Sequence, residues 1–509
     1  NDSTLYTEMP KRNISNVDLT DATLTIRKTQ QVNIVDNKLS AAVTTESNET
    51  FLPFTPERYT LIRSDGTTEE LTSDKVQLNA GSNQLEIFNL GGDDEATLVT
   101  TISKIKPKAK NKIKNRVNSV VIDKSVKSAS GIGSTTLNDG LTYGNYPFGT
   151  RVQDEFISLN SADLIEVHGI YELATDPSVN NTDPSAPSMT LANLTGPTAK
   201  TSDLVIGESV VGETSGAHAI VGVKVTDSKI AFLPKNQISF KEGEILVFEE
   251  SGVRGSLTTL DTPSKDISFK FKSRNGQNGE FYNHGVLKRK NDEEAPQRKI
   301  IAYFSNGYYE STDDGDITTV NSYSSFDYSK EIQNVNFIRN SDIIDIRPKV
   351  SDIETVSEGD RSPLEFHGRS FNVTGNSAPN ILSSNEGILT DFSFYLGRID
   401  RVYLTKDGAF QVKYGTPAEI PESPTSVDNA LEIARISLPP YLYNVTNASK
   451  KFLEHKRYRM VDIKQLENRI KNLEFFTSLS LLETNTANLF VPDANGLNRF
   501  KSGFFVDNF

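Results

Sequence analysis

At 509 residues the chain is long enough for about three or four hydrophobic cores at ordinary domain sizes. A formal net charge of -13 argues against a general binder of nucleic acid or anionic membrane, and the absence of cysteine excludes disulfides, thiolate nucleophiles and Cys-ligated zinc. Hydrophobic content of 36%, with 32 Gly and 21 Pro, fits short strands joined by turns, so the expected class is mainly β: several small sandwich or barrel domains in tandem.

No apolar run reaches the roughly 20 residues that span a bilayer, and "NDSTLYTEMPKRN" lacks the order of a signal peptide, so a soluble chain is expected. The start without Met and the apolar ending "GFFVDNF" are read as signs of processing or of a longer polypeptide.

Residues 1–45 hold few large apolar side chains beyond the alternation of Leu24 and Ile26, and are expected as an extended arm that packs on something else. Residues 46–103 alternate more clearly around an Asp65-Gly66 turn and predict a small β-sandwich. Residues 104–130 open as a basic linker, "KIKPKAKNKIKNR", with Lys104, Lys106, Lys108, Lys110, Lys112, Lys114 and Arg116 at every second position. On a strand that period places all the cations on one face, about 6.6 Å apart. The ribbon is read either as docking on an acidic neighbour or phosphate backbone, or as a solvated linker. No aromatic residues interleave to stack on bases, which weighs against nucleic acid.

Residues 131–187 and 263–445 predict one discontinuous main β domain, with strands at "KIIAYFSN" and "SDIIDIRPKV" and a hairpin turned at Asp407-Gly408. A loop, "TDPSVNNTDPSAPS", leads into an insert at 188–262. The insert repeats itself at an offset of 36: Gly207, Glu208, Val211, Glu213, Ser215 and Gly216 match Gly243, Glu244, Val247, Glu249, Ser251 and Gly252. Two strand–turn–strand copies with "KIAFLP" between them predict a small closed barrel.

Residues 446–509 predict a helical segment centred on one long amphipathic helix at 461–483. Asp462 and Gln465 have the spacing of a capping box, and Val461 and Leu466 that of a hydrophobic staple. Ile463, Leu466, Ile470 and Leu473 follow a 3-4-3 spacing, after which Phe475, Phe476, Leu479, Leu481 and Leu482 broaden the stripe. The second half is expected to be buried on more than one side. The helix is read either as packed on its own domain's sheet or as a subunit contact, with Ile463, Leu466, Ile470, Leu473 and Phe476 as contact candidates alongside the basic ribbon.

Chemistry finds little footing. His168, His218, His284, His367 and His455 lie in no metalloprotease or nucleophile-elbow pattern and are read as packing or surface residues. "TDDGDITT" at 312–319 lacks the frame and closing Glu of a calcium loop. Asp342 and Asp345 fall on opposite faces of a strand, and Arg347 is placed to pair with Asp345. "RNGQNGEFYNHG" has glycines but neither a following helix nor a Lys-Ser/Thr pair. No cofactor, metal or enzymatic activity is expected.

"GTRVQDEFISLN", "RNSDIIDIRPKVSD", "FYLGRIDRVYLTKDGAFQVKYGTPAE" and "RYRMVDIKQLENRIKNLEFFTSLSLLE" resemble an uncharacterised structural-protein domain of contractile-tailed cyanophages, over about residues 130–509. The barrel wording "GESVVGETSGAHA" is similar to modules of phage structural proteins. The resemblance implies a virion protein of the tail, at the baseplate or where fibres attach, assembled in the host cytoplasm. Its implied partners are other tail proteins and further copies of itself, a trimer being one candidate state, and it implies no catalytic residues. The alternative is a fibre-like adhesin holding a glycan on Phe232, Phe240 and Phe248 of the barrel. A depolymerase built on Asp342 and Asp345 is the third reading.

Overall fold

The computed structural model describes residues 5–126, 139–174, 183–353, 356–367, 370–371, 381–383, 388–442, 444–455, 457–497 and 499. The fold is mainly β, with many small sheets and, among the described residues, a single α-helix. The chain divides into two compact units, one of residues 1–397 and 439–447, the other of 398–438 and 448–509.

In the first unit Ile14–Val35 forms one strand of 22 residues, paired along Asp94–Ile105 on one side and with Leu389–Phe394 on the other. A small sheet built from Val43–Thr44, Gln84–Ile87 and Val76–Leu78 shares the core of this larger sheet through Val76, Leu85 and Ile87. The expected arm is therefore the sheet's centre: Ile14, Val17, Leu24, Ile26 and Ile34 are buried in the same core as Leu61, Leu98 and Ile102. Its apolar residues are sparse because the exposed positions are almost all polar, among them Asn16, Asp18, Thr20, Arg27, Gln31 and Asn33, which hid the strand from pattern reading. Ile317, Val320, Tyr323, Ile344 and Ile346 join this core from far along the chain, and Tyr6–Glu8 pairs with Ile343–Asp345. The Asp65-Gly66 turn is present, with Gly66 at φ +81°.

Lys112–Ile122, Ile300–Tyr309, Leu164–Leu173 and Ser264–Asp266 form a four-stranded sheet. With Phe156–Ala162, His284–Arg289 and Phe271–Arg274 it encloses a core around Ile157, Leu159, Ile170, Leu287 and Phe304. Residues 112–122 of the basic linker are thus a strand of the main domain. The start of the expected 131–187 segment, 131–138, and most of the loop leading to the insert, 175–182, lie outside the described residues.

The insert is a closed barrel of Ser188–Ala192, Lys229–Pro234, His218–Thr226, Ser209–Gly212, Ile245–Phe248 and Arg254–Asp261. Its repeat is also its locking device. Glu208 accepts from the Ser251 backbone N–H at 2.9 Å and hydroxyl at 3.1 Å, while Glu244 accepts from the same groups of Ser215 at 3.0 and 2.9 Å. Each copy caps the other's turn, and each turn places its glycine in the left-handed region, Gly216 at φ +69° and Gly252 at φ +68°.

In the second unit Phe410–Lys413, Arg398–Thr405, Ala430–Leu438 and Ser449–Phe452 form a four-stranded antiparallel sheet. The Asp407-Gly408 hairpin, expected within the main domain, belongs here. The unit also contains the helix α1, Met460–Ala487.

Candidate functional site

α1 runs for 28 residues, about 42 Å at 1.5 Å per residue, without Pro or Gly. Its N-cap is Arg459, not Asp462: Asp462 sits in the first turn and its carboxylate accepts the Arg459 backbone N–H at 3.0 Å. An acidic residue there satisfies an orphan donor and opposes the positive end of the helix dipole. The staple read for Val461 and Leu466 therefore falls away, since Val461 lies inside the helix. Glu467 is held between Lys471 at 2.6 Å and Lys464 at 3.2 Å, and these cations lower its pKa. The Asn488 N–H closes the other end on the Thr484 carbonyl at 3.0 Å.

None of its residues is buried. Leu473 is 70% exposed, Phe475 62%, Phe476 65% and Leu482 62%, and Ile463, Leu466, Ile470, Leu479 and Leu481 are exposed as well. The expectation that the second half is enclosed, and the reading in which the helix packs on its own sheet, both give way. At about 100° per residue, Ile463, Leu466, Ile470 and Leu473 form one stripe, whereas Phe475, Leu479 and Leu482 centre about 165° away from it. The apolar side chains of α1 thus face two directions and are exposed in both.

The basic stretch has a different fate. Lys104 reaches Asp316 at 2.6 Å and Glu49 at 3.6 Å, Lys108 pairs with Asp314, Lys112 with Asp163 at 2.5 Å, Lys114 with Glu331 at 2.5 Å, and Arg116 with Glu250. Lys110 lies over the Tyr309 ring at 5.5 Å. Lys106, at φ +55°, is exposed and interrupts the strand, so the cations do not share one face. The acidic neighbour is this same chain. The acidic loop at 312–319 supplies much of it: Asp313 accepts from the Asn111 N–H at 2.8 Å, while Asp314 and Asp316 hold Lys108 and Lys104.

Asp345 and Arg347 form a fully buried pair at 2.7 Å, as their spacing predicts. Asp342 turns elsewhere and accepts the Ile14 N–H at 3.1 Å. His284 lies between the Ser158 hydroxyl at 3.3 Å and the Ser351 carbonyl at 3.0 Å, and His218 meets the Ser209 hydroxyl at 2.8 Å. His168 contacts the Arg116 carbonyl at 3.1 Å, and His455 the Glu432 carbonyl. His367 is exposed beside Phe366. Among the described residues no group of three or more His, Asp or Glu is placed to hold a metal ion. Phe232, Phe240 and Phe248 are interior to the barrel, the first two in edge contact at 5.5 Å, so they offer no platform for a sugar.

Sequence reading missed the buried Lys112–Asp163 pair and the Glu208–Ser251 and Glu244–Ser215 locks. The second had a signal, because Glu and Ser are among the residues that the repeat keeps.

Residues 355–509 match the model of a family described as a domain of unknown function, DUF4815. That span includes the whole of the second unit and α1. No curated protein and no solved structure matches the chain.

Proposed function

We propose that this protein is a structural subunit of a larger assembly, with α1 as its main assembly contact. The observation that carries the reading is the exposure of every large apolar side chain on that helix. Fully burying a Leu, Ile or Phe is worth about 1.5–3 kcal/mol, so covering this surface supplies a substantial driving force for association. The resemblance of residues 130–509 to tail proteins of contractile-tailed cyanophages makes the finer proposal a tail or baseplate component, present in several copies and contacting other tail proteins.

Cross-linking mass spectrometry on intact particles tests this. Links from Lys464 and Lys471 to other tail chains are expected. A chain that stays monomeric at high concentration, gains no partner from purified tail proteins and keeps α1 solvated counts against it.

A further inference from the structure

The helix carries a more specific instruction. With Ile463 as position a of a heptad, the a and d positions from 463 to 487 read Ile463, Leu466, Ile470, Leu473, Thr477, Ser480, Thr484 and Ala487, none of them charged. Every charged residue of the helix (Asp462, Lys464, Glu467, Arg469, Lys471, Glu474 and Glu483) falls at b, e or g. The hydroxyls at two of the a positions are already satisfied: Thr477 donates to the Leu473 carbonyl at 2.6 Å and Thr484 to the Ser480 carbonyl at 2.8 Å. Burying them against a neighbour therefore leaves no donor unpaired.

We infer that the a/d seam of α1 pairs in parallel with the same seam of a second copy of this chain. This rests on the reading of α1 as an assembly surface and names its occupant. Ile at a with Leu at d favours two parallel strands. Charge sets the direction. In a parallel pair each g residue faces the e residue five positions on in its mate, which brings Arg469 to Glu474 and Phe476 to Leu481. The unlike charges attract, and the two apolar side chains flank the small Thr477 and Ser480. An antiparallel pair sets Glu474 against Glu474 and Asp462 against Glu483. The one like-charged parallel pair, Asp462 with Glu467, is softened because Glu467 is already held by Lys464 and Lys471. Phe475, Leu479 and Leu482 point away from the seam and stay available to the other proteins of the assembly.

Sedimentation equilibrium of the full chain tests the inference, and the absence of native cysteine makes an orientation test clean. The wild type is expected to be a dimer, and Leu466→Asp with Leu473→Asp a folded monomer, since both side chains are exposed and their loss costs no core. Arg469→Glu should raise the dissociation constant about fivefold, two exposed ion pairs being lost per dimer, and adding Glu474→Arg should restore it. Ile463→Cys should cross-link to itself under mild oxidation, which an antiparallel pair, with the two cysteines at opposite ends of the seam, does not allow. A wild-type monomer, a trimer, or an Ile463→Cys chain that fails to cross-link overturns the inference. If the monomer still binds purified tail proteins through α1, the assembly reading survives its loss; if it binds none, both fall.

Discussion

The ammonium group of Lys112 lies 2.5 Å from the carboxylate of Asp163, and neither side chain reaches solvent. The ammonium also sits over the rings of Tyr282 at 4.1 Å and Tyr323 at 5.0 Å, while the other Asp163 oxygen accepts from the Gln277 amide at 2.7 Å. Burial opposes the charge, but Asp163 outweighs it, and the Lys112 pKa is held above the ordinary lysine value. The pair ties the end of the basic stretch into the main domain.

Removing one partner strands the other as a buried charge. Asp163→Asn is expected to cost about 3–5 kcal/mol in urea unfolding. Asn tolerates the left-handed backbone that Asp163 adopts at φ +57°, so the loss reports the charge and not backbone strain. Lys112→Met combined with Asp163→Asn should recover part of it. A single-variant cost below about 1 kcal/mol would show that the pair is already neutral or hydrated.

The barrel's two locks should behave as equals. Glu208→Gln and Glu244→Gln each replace one accepting oxygen with a donor, and each is expected to lower the opening free energy of barrel amides by about 1–3 kcal/mol in hydrogen exchange. Ser251→Ala should add little in the Glu208→Gln background and its full effect in the Glu244→Gln background. Equal additions in both would disprove the reciprocal pairing.

The basic stretch should be silent towards polyanions as long as its internal partners remain. Wild-type protein is expected to pass a heparin column at about 0.15 M salt, whereas Asp313→Asn, Asp314→Asn and Asp316→Asn together should retard it by freeing Lys108 and leaving Lys104 with Glu49 as its one acidic partner. Retention of the wild type at that salt would mean that these cations face outward.

His168 should make stability depend on pH. Burial, then the Lys235 ammonium 3.2 Å from Nδ1, holds its pKa below the ordinary 6.5, although Glu166 pulls the other way. The folded chain thus binds this proton less well than the unfolded chain. The penalty is absent above 6.5 and grows as pH falls towards the folded-state value. The drop in urea midpoint between about pH 7.5 and about pH 5.5 should shrink in His168→Gln. An unchanged drop would place the titration elsewhere.

How legible each part was depends on how far apart its partners lie. The barrel could be read because its pattern repeats locally, and the two hairpin turns because Asp-Gly positions a left-handed glycine between alternating runs. The basic stretch could not be read: Lys104 meets Asp316 across 212 residues and Lys114 meets Glu331 across 217. Both motifs were visible, yet nothing in either named the other. The helix start was displaced by three residues because an Asp reads alike at the N-cap and in the first turn, and only the direction of its hydrogen bond separates the two.

By itself, the sequence determined the class, the barrel, the presence of a long amphipathic helix and its charge-free a/d seam, because these rest on turn chemistry and on periods of 2 and 3.6 that act over a few residues. Tertiary structure alone decided that the first 45 residues contain the central strand of a sheet, that the cations of 104–116 are mostly spent within the chain, and that α1 is left uncovered. Burial and charge pairing depend on which distant segments meet, and that information lies in the packing of the whole core.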